Sequence, residues 1–161
     1  LTESSRLLGC VLMFIGGSPG GTAGGIKTTT MAMVLLTVIC VLRGKRDTEC
    51  FGRRIALDVI RSAITILIIT FVFWLCGVAA LTIFEPGKDV VNLMYEVSSA
   101  MGTVGLSADL TPYLTRGSHI VLMILMYVGR IGPMTMALVF AGRADKAAQF
   151  RELPAKRIMI G

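Results

Sequence analysis

The chain has 161 residues, 54% of them hydrophobic, with a formal net charge of +6 and a mean hydropathy of +0.76. That is too apolar for an ordinary soluble domain of this length. It also excludes a nucleic-acid partner, because the basic residues are divided between two segments bordering hydrophobic stretches instead of clustering with stacking aromatics on one face.

The first hydrophobic segment, residues 7–42, is interrupted. The run Gly16-Gly17-Ser18-Pro19-Gly20-Gly21-Thr22-Ala23-Gly24-Gly25-Ile26-Lys27-Thr28-Thr29-Thr30 holds six glycines and a proline. Its flanks, 7–15 and 31–42, are apolar enough for a bilayer, but glycine and proline are the poorest helix formers. Irregular backbone at membrane depth persists only where protein buries it or where it lines a watery cavity. The sequence therefore predicts an intramembrane loop over 16–30 on a permeation path. Gly16 and Gly20, and Gly21 and Gly25, also have the small-xxx-small spacing of packed helices; Pro19 and the glycine density argue against an intact helix. A phosphate-binding loop would need G-x-x-x-x-G-K-[ST]. Here Ile26 intervenes between Gly25 and Lys27, and the flanks are spans.

Residues 43–61 follow, with Arg43, Lys45, Arg46, Arg53, Arg54 and Arg61 against Asp47, Glu49 and Asp58. The tail 143–161 is similarly basic, carrying Arg143, Lys146, Arg151, Lys156 and Arg157. The connection 85–117 carries only Lys88 and Arg116 against Glu85, Asp89, Glu96 and Asp109. The positive-inside rule puts the first two in the cytoplasm and the third outside.

Residues 62–84 are uncharged and long enough to span. Pro86-Gly87 breaks the chain. Asp89 is placed to cap a short helix over 89–101, with Val90, Leu93, Met94, Val97 and Met101 near helical spacing. Gly102-Thr103-Val104-Gly105-Leu106-Ser107 is an extended run over 102–107, and 118–142 is the last span, with Arg130 its only full charge. Since both spans end outside, the connection must dip in and return, giving span, short helix, filter, span. A cation filter replaces the hydration shell with backbone carbonyls; Gly105 permits the required backbone angles, and the short helix aims a carbonyl dipole that favours a cation. Taken alone, the tripeptide Thr103-Val104-Gly105 also fits a surface turn. Arg130 must face a partner or water, since a charge in a span costs at least about 2.5 kcal/mol.

Cys10, Cys40, Cys50 and Cys76 are scattered, without Cys-x-x-Cys, and read as reduced structural residues. His119 reads as an interfacial packing residue. Nothing pairs Glu96 with Asp109 for acid–base work. No catalytic residue and no covalent cofactor is expected, and the chain is not read as an enzyme.

Three motifs in order resemble the Trk/Ktr/HKT superfamily of potassium transporters, most of all its KtrB-type pore-forming subunit. They are the glycine-rich run with its lead-in Met13-Phe14-Ile15, then Ser99-Ala100-Met101-Gly102-Thr103-Val104-Gly105-Leu106-Ser107, then Tyr127-Val128-Gly129-Arg130-Ile131-Gly132-Pro133-Met134-Thr135. The resemblance implies an all-α membrane protein built from potassium-channel-like repeats of span, pore helix, filter and span. Residues 1–42 would be the second span of the third repeat, broken by the gate loop; 43–61 a cytoplasmic loop; 62–142 the fourth repeat; 143–161 a cytoplasmic tail. It implies K+ held by the backbone of Thr103, Val104 and Gly105, with Leu106 completing the filter. The gate loop would comprise Gly16, Gly17, Gly20, Gly21, Thr22, Ala23, Gly24, Gly25 and Lys27, and Arg130 would contact it from the last span. Implied partners are the lipid bilayer, N-terminal pore repeats absent from this sequence, a second copy in a homodimer, and a cytosolic ring of RCK/KtrA-like nucleotide-binding subunits. K+ is the implied substrate, with Na+ a candidate coupling or activating ion in a symport, and the location is the bacterial inner membrane. The chain opens on Leu1 and is expected to be a fragment of a longer protein. A non-conducting scaffold or degenerate transporter, and a stand-alone two-span tetrameric channel, remain open as other readings.

Overall fold

The structure is a computed structural model, and it describes residues 2–21, 23–44, 48–50 and 53–132. Thr22, part of the 43–61 loop, residues 133–142 of the span expected over 118–142 and the tail expected over 143–161 lie outside the described residues.

Thr2 opens the first helix, its Oγ1 accepting from the Ser5 N–H at 3.4 Å. With Glu3 in the first turn, where a carboxylate suits the helix dipole, α1 runs Glu3–Phe14 and stops at the glycines. The next helix, α2, is Thr28–Leu42. Its first turn is the threonine triplet, so the loop expected over 16–30 ends three residues earlier. Threonine's helix penalty is at most about 0.7 kcal/mol per residue, less than leaving backbone groups unpaired in apolar surroundings.

Two short strands, β1 (Glu49–Cys50) and β2 (Arg53–Arg54), pair antiparallel in the basic loop, with Glu49 opposite Arg54 and Cys50 opposite Arg53. The Ile55 N–H donates to the Thr48 carbonyl at 2.9 Å and continues this ladder. Among the described residues the fold is thus helical with one small strand pair, a departure from the purely helical expectation.

The helix α3, Leu57–Phe84, has 28 residues and is about 42 Å long, more than the ~30 Å hydrocarbon core. Among the described residues it is the one helix long and apolar enough to cross a membrane; α2 is apolar but shorter. It begins five residues before position 62 and takes Asp58 and Arg61 into its first turns. Then come α4, Val90–Gly102, whose Asp89 cap accepts from the Val91 N–H at 3.4 Å, a 3-10 turn at Thr111–Tyr113, and α5, Arg116–Ile131.

The short helix α4 lies at the centre, packed against α1, α3 and α5. Residues 95–102 are all buried. Leu93, Val97 and Ala100 of α4 form the core with Leu81, Leu114, Leu122 and Leu125. On the other side Tyr95 packs with Cys10 and Met13 of α1. Arg6 ties the two helices near their N-termini, its Nη1 donating to Asn92 Oδ1 at 2.5 Å. The Trp74 Nε1–H donates to Ser98 Oγ at 2.9 Å, and the indole stacks on Phe71 while Phe14 meets both edge-on. This trio fixes the end of α1 just before the glycine run.

Candidate functional site

The glycine-rich segment folds back on itself. Ile15 pairs in parallel with Ile26, and the Thr28 N–H donates to the Gly17 carbonyl at 3.3 Å. A Cβ on Gly16 would collide with the Gly24 carbonyl, so only glycine lets the two arms approach. The arms are therefore paired at the base, where the sequence suggested no regular hydrogen bonding, and residues 18–21 form an exposed tip. Gly24, Gly25 and Ile26 are buried. Lys27, the residue before α2, bends back over the loop; its ammonium donates to the Ala23 carbonyl at 2.6 Å and the Gly21 carbonyl at 3.4 Å. A cation is disfavoured at a helix N-terminus, and these carbonyls supply compensating negative charge.

The loop meets the segment that follows α4. The Gly24 N–H donates to Thr103 Oγ1 at 2.8 Å. Thr103 caps α4 in the left-handed region, φ 52 and ψ 38, its N–H donating to Ala100 O. The Val104 N–H donates to Ser99 O at 3.0 Å. Gly105 takes φ 82 with open space where a Cβ would lie, and Val104 and Leu106 are exposed. Thr103 and Gly105 thus have positive φ on either side of Val104, which does not.

A third backbone closes the site. A Cβ on Gly129 of α5 would collide with the Met101 carbonyl, and one on Gly24 would lie 2.9 Å from the Gly129 carbonyl. One on Gly102 would lie 2.8 Å from the Met13 carbonyl. The structure thus brings together α1, the loop, the end of α4 and α5 through peptide groups. Arg130 follows Gly129 in the last turn of α5. The helix ends one residue later at Ile131, capped by Gly132 with φ 86, and Pro133 follows in sequence without an N–H to continue it. Arg130 therefore sits at a helix C-terminus, not in mid-helix, where its charge suits the dipole. His119 bonds the Thr115 carbonyl one turn back at 2.9 Å.

Two buried carboxylates have partners that the sequence reading missed. Glu96 of α4 accepts at Oε1 from Ser107 Oγ (2.5 Å) and the Ala108 N–H (2.9 Å), and at Oε2 from Thr111 Oγ1 (2.8 Å). The signal available was a lone charge among the otherwise uncharged residues 90–102. Glu85, just past α3, accepts at Oε1 from the Thr115 N–H (2.6 Å) and Ser118 Oγ (2.9 Å), tying α3 to the start of α5. The Thr115 N–H, chiefly, holds the Glu85 carboxyl below its ordinary value of 4.5, with Ser118 and nearby Lys88 adding to it.

A depressed carboxyl stabilises the fold at pH above the ordinary value, and that stability is lost as pH falls through the lowered one. Thermal unfolding of the purified full protein should therefore show a stability loss below about pH 4.5 that is smaller in Glu85→Gln. An identical acid profile in the variant would exclude Glu85 as a contributor.

The family described as cation transport protein, TrkH, matches residues 2–151. The chain is 35% identical to the potassium/sodium uptake protein NtpJ of Enterococcus hirae, over 100% of this chain and 36% of that protein. It is 38% identical to Ktr system potassium uptake protein B of Bacillus subtilis, over 88% of this chain and 32% of that one. It is 36% identical to Ktr system potassium uptake protein D of the same organism, over 100% and 35%. The chain thus spans about a third of the length of these relatives. With the family match running through nearly all of its residues, the chain belongs to the TrkH family of cation transport proteins.

Proposed function

We propose that this chain is part of the pore-forming, KtrB-type subunit of a potassium uptake transporter in the bacterial inner membrane. Its process is cation permeation, passive or ion-coupled, without a covalent step. Residues 103–106 form one arm of the ion filter, where backbone carbonyls replace part of the hydration shell of K+. The segment between α1 and α2 is the gate beneath it. The observation that carries the reading is the Gly24-to-Thr103 hydrogen bond, 2.8 Å, which joins the irregular loop directly to the first filter residue. A loop serving only to pack two helices has no need to reach that residue. The exposed apolar faces of α1 and α2 (Leu8, Leu12, Val38 and Val41 among them) meet lipid or the remaining pore repeats. The C-terminus lies in the cytoplasm, and the basic 43–61 loop and the tail receive a ring of nucleotide-binding regulatory subunits on a homodimeric transporter.

The test is uptake by the full protein carrying this chain, expressed in cells lacking their own potassium uptake. Growth at low external K+ and accumulation of K+ or its tracer Rb+ are expected. Correctly inserted protein that moves neither ion would point to a non-conducting scaffold.

A further inference from the structure

The filter arm is suspended between two anchors, both belonging to α4. At the inner end the Thr103 and Val104 N–H groups return to the last carbonyls of α4. At the outer end Glu96 reaches across to residues 107, 108 and 111. Among the described residues, no hydrogen bond is made by Gly105 or Leu106 between these anchors. The direction of their carbonyls is set by how the two ends are held.

We propose that Glu96 is a positioning residue for ion selection, a carboxylate that clamps the outer end of the filter arm from behind. The proposal rests on the filter reading of residues 103–106. Glu96 is only 5% exposed, and burying a charge is unfavourable unless hydrogen bonds compensate. Three donors do so here, matched to a group that only accepts. Oε1 takes two of them on adjacent residues, one a backbone N–H, so the carboxylate fixes main chain and not just side chains. The Ser107 and Thr111 hydroxyl oxygens lie 2.8 Å apart, and with one proton each both donate to the carboxylate they flank. Charge-assisted bonds of this kind are short and directional. Without them the outer end of the arm relaxes, and carbonyls that match one ion's radius come to accept others.

Glutamine separates clamping from charge. The Glu96→Gln carbonyl can still accept from Ser107 and Ala108, while its amide donates to Thr111 Oγ1, which has free lone pairs. In the full protein, uptake of K+ and Na+ is measured per membrane-inserted molecule. Glu96→Ala is expected to lower the K+/Na+ uptake ratio about tenfold, and Glu96→Gln to stay within about twofold of wild type. An unchanged ratio in Glu96→Ala would overturn the proposal, as would an equal loss in both variants, which would assign the effect to charge. A merely structural Glu96 predicts fewer inserted molecules at an unchanged ratio. If Glu96→Ala fails to insert, Ser107→Ala with Thr111→Val removes two of the three donors from the other side; a lowered ratio supports the clamp and a wild-type ratio refutes it. Gly105→Ser measured in parallel separates the levels: no effect of that change removes the filter reading itself, whereas an effect there with none at Glu96 removes only the clamp.

Discussion

Replacing Arg130 with alanine is expected to raise the maximal uptake rate of the full protein by about tenfold per inserted molecule, the equivalent of one charge-assisted hydrogen bond of roughly 1.5 kcal/mol. Arg130 follows the glycine whose carbonyl lies against Gly24, and its guanidinium carries five donors suited to carbonyl groups. In the proposed gate it holds the loop beneath the filter and repels a cation in the cavity, so removing it lowers the barrier twice over. Deleting residues 20–23 should also raise the rate. That change removes half of the tip and the Ala23 carbonyl held by Lys27. The two changes should be non-additive, because they disrupt one closed arrangement. If Arg130 only supports folding, fewer molecules will insert and none will run faster. A normalised rate at or below wild type for both variants would end the gating proposal.

Gly105→Ser is expected to reduce the K+/Na+ uptake ratio of the full protein about tenfold, through the backbone and not through bulk. The position has open space around a notional Cβ but sits at φ 82, where an L-residue costs about 1–2 kcal/mol. A serine escapes that strain by rotating its peptide, which in the proposed filter turns a carbonyl away from the ion. Volume alone would predict little effect, since among the described residues nothing lies near enough to collide. Uptake measured with each ion at equal concentration decides the matter, and an unchanged ratio would remove Gly105 from the filter.

The break between α1 and α2 was legible because composition alone forbids a helix there: six glycines and a proline between apolar flanks leave few other conformations. The Asp89 cap was legible for the same local reason, being a short-range preference of one side chain for a nearby N–H. What could not be read depends on contacts far apart in sequence. Glu96 finds its partners 11 to 15 residues on, across a turn with no periodic pattern. Gly24 meets Thr103 at a separation of 79 residues. The threonine triplet misled in the opposite direction, since its intrinsic reluctance to form a helix is small beside the demand for backbone hydrogen bonds. The paired strands at 49–50 and 53–54 have two residues each, too short for an alternating pattern to register.

The junction of Gly24, Gly102 and Gly129 has a mechanical consequence. Side chains are the compliant part of a protein, able to absorb a displacement by changing rotamer within nanoseconds. Here helix backbone bears directly on helix backbone and on the loop, with Met101 against Gly129 and Met13 against Gly102. Such a joint has almost no give. A shift of α5 along its axis must be passed on to the end of α4, and so to Thr103, nearly undiminished. The base of the segment at 103–106 is therefore stiff, and a force applied to one end of α5 is felt there as movement instead of being lost in soft packing.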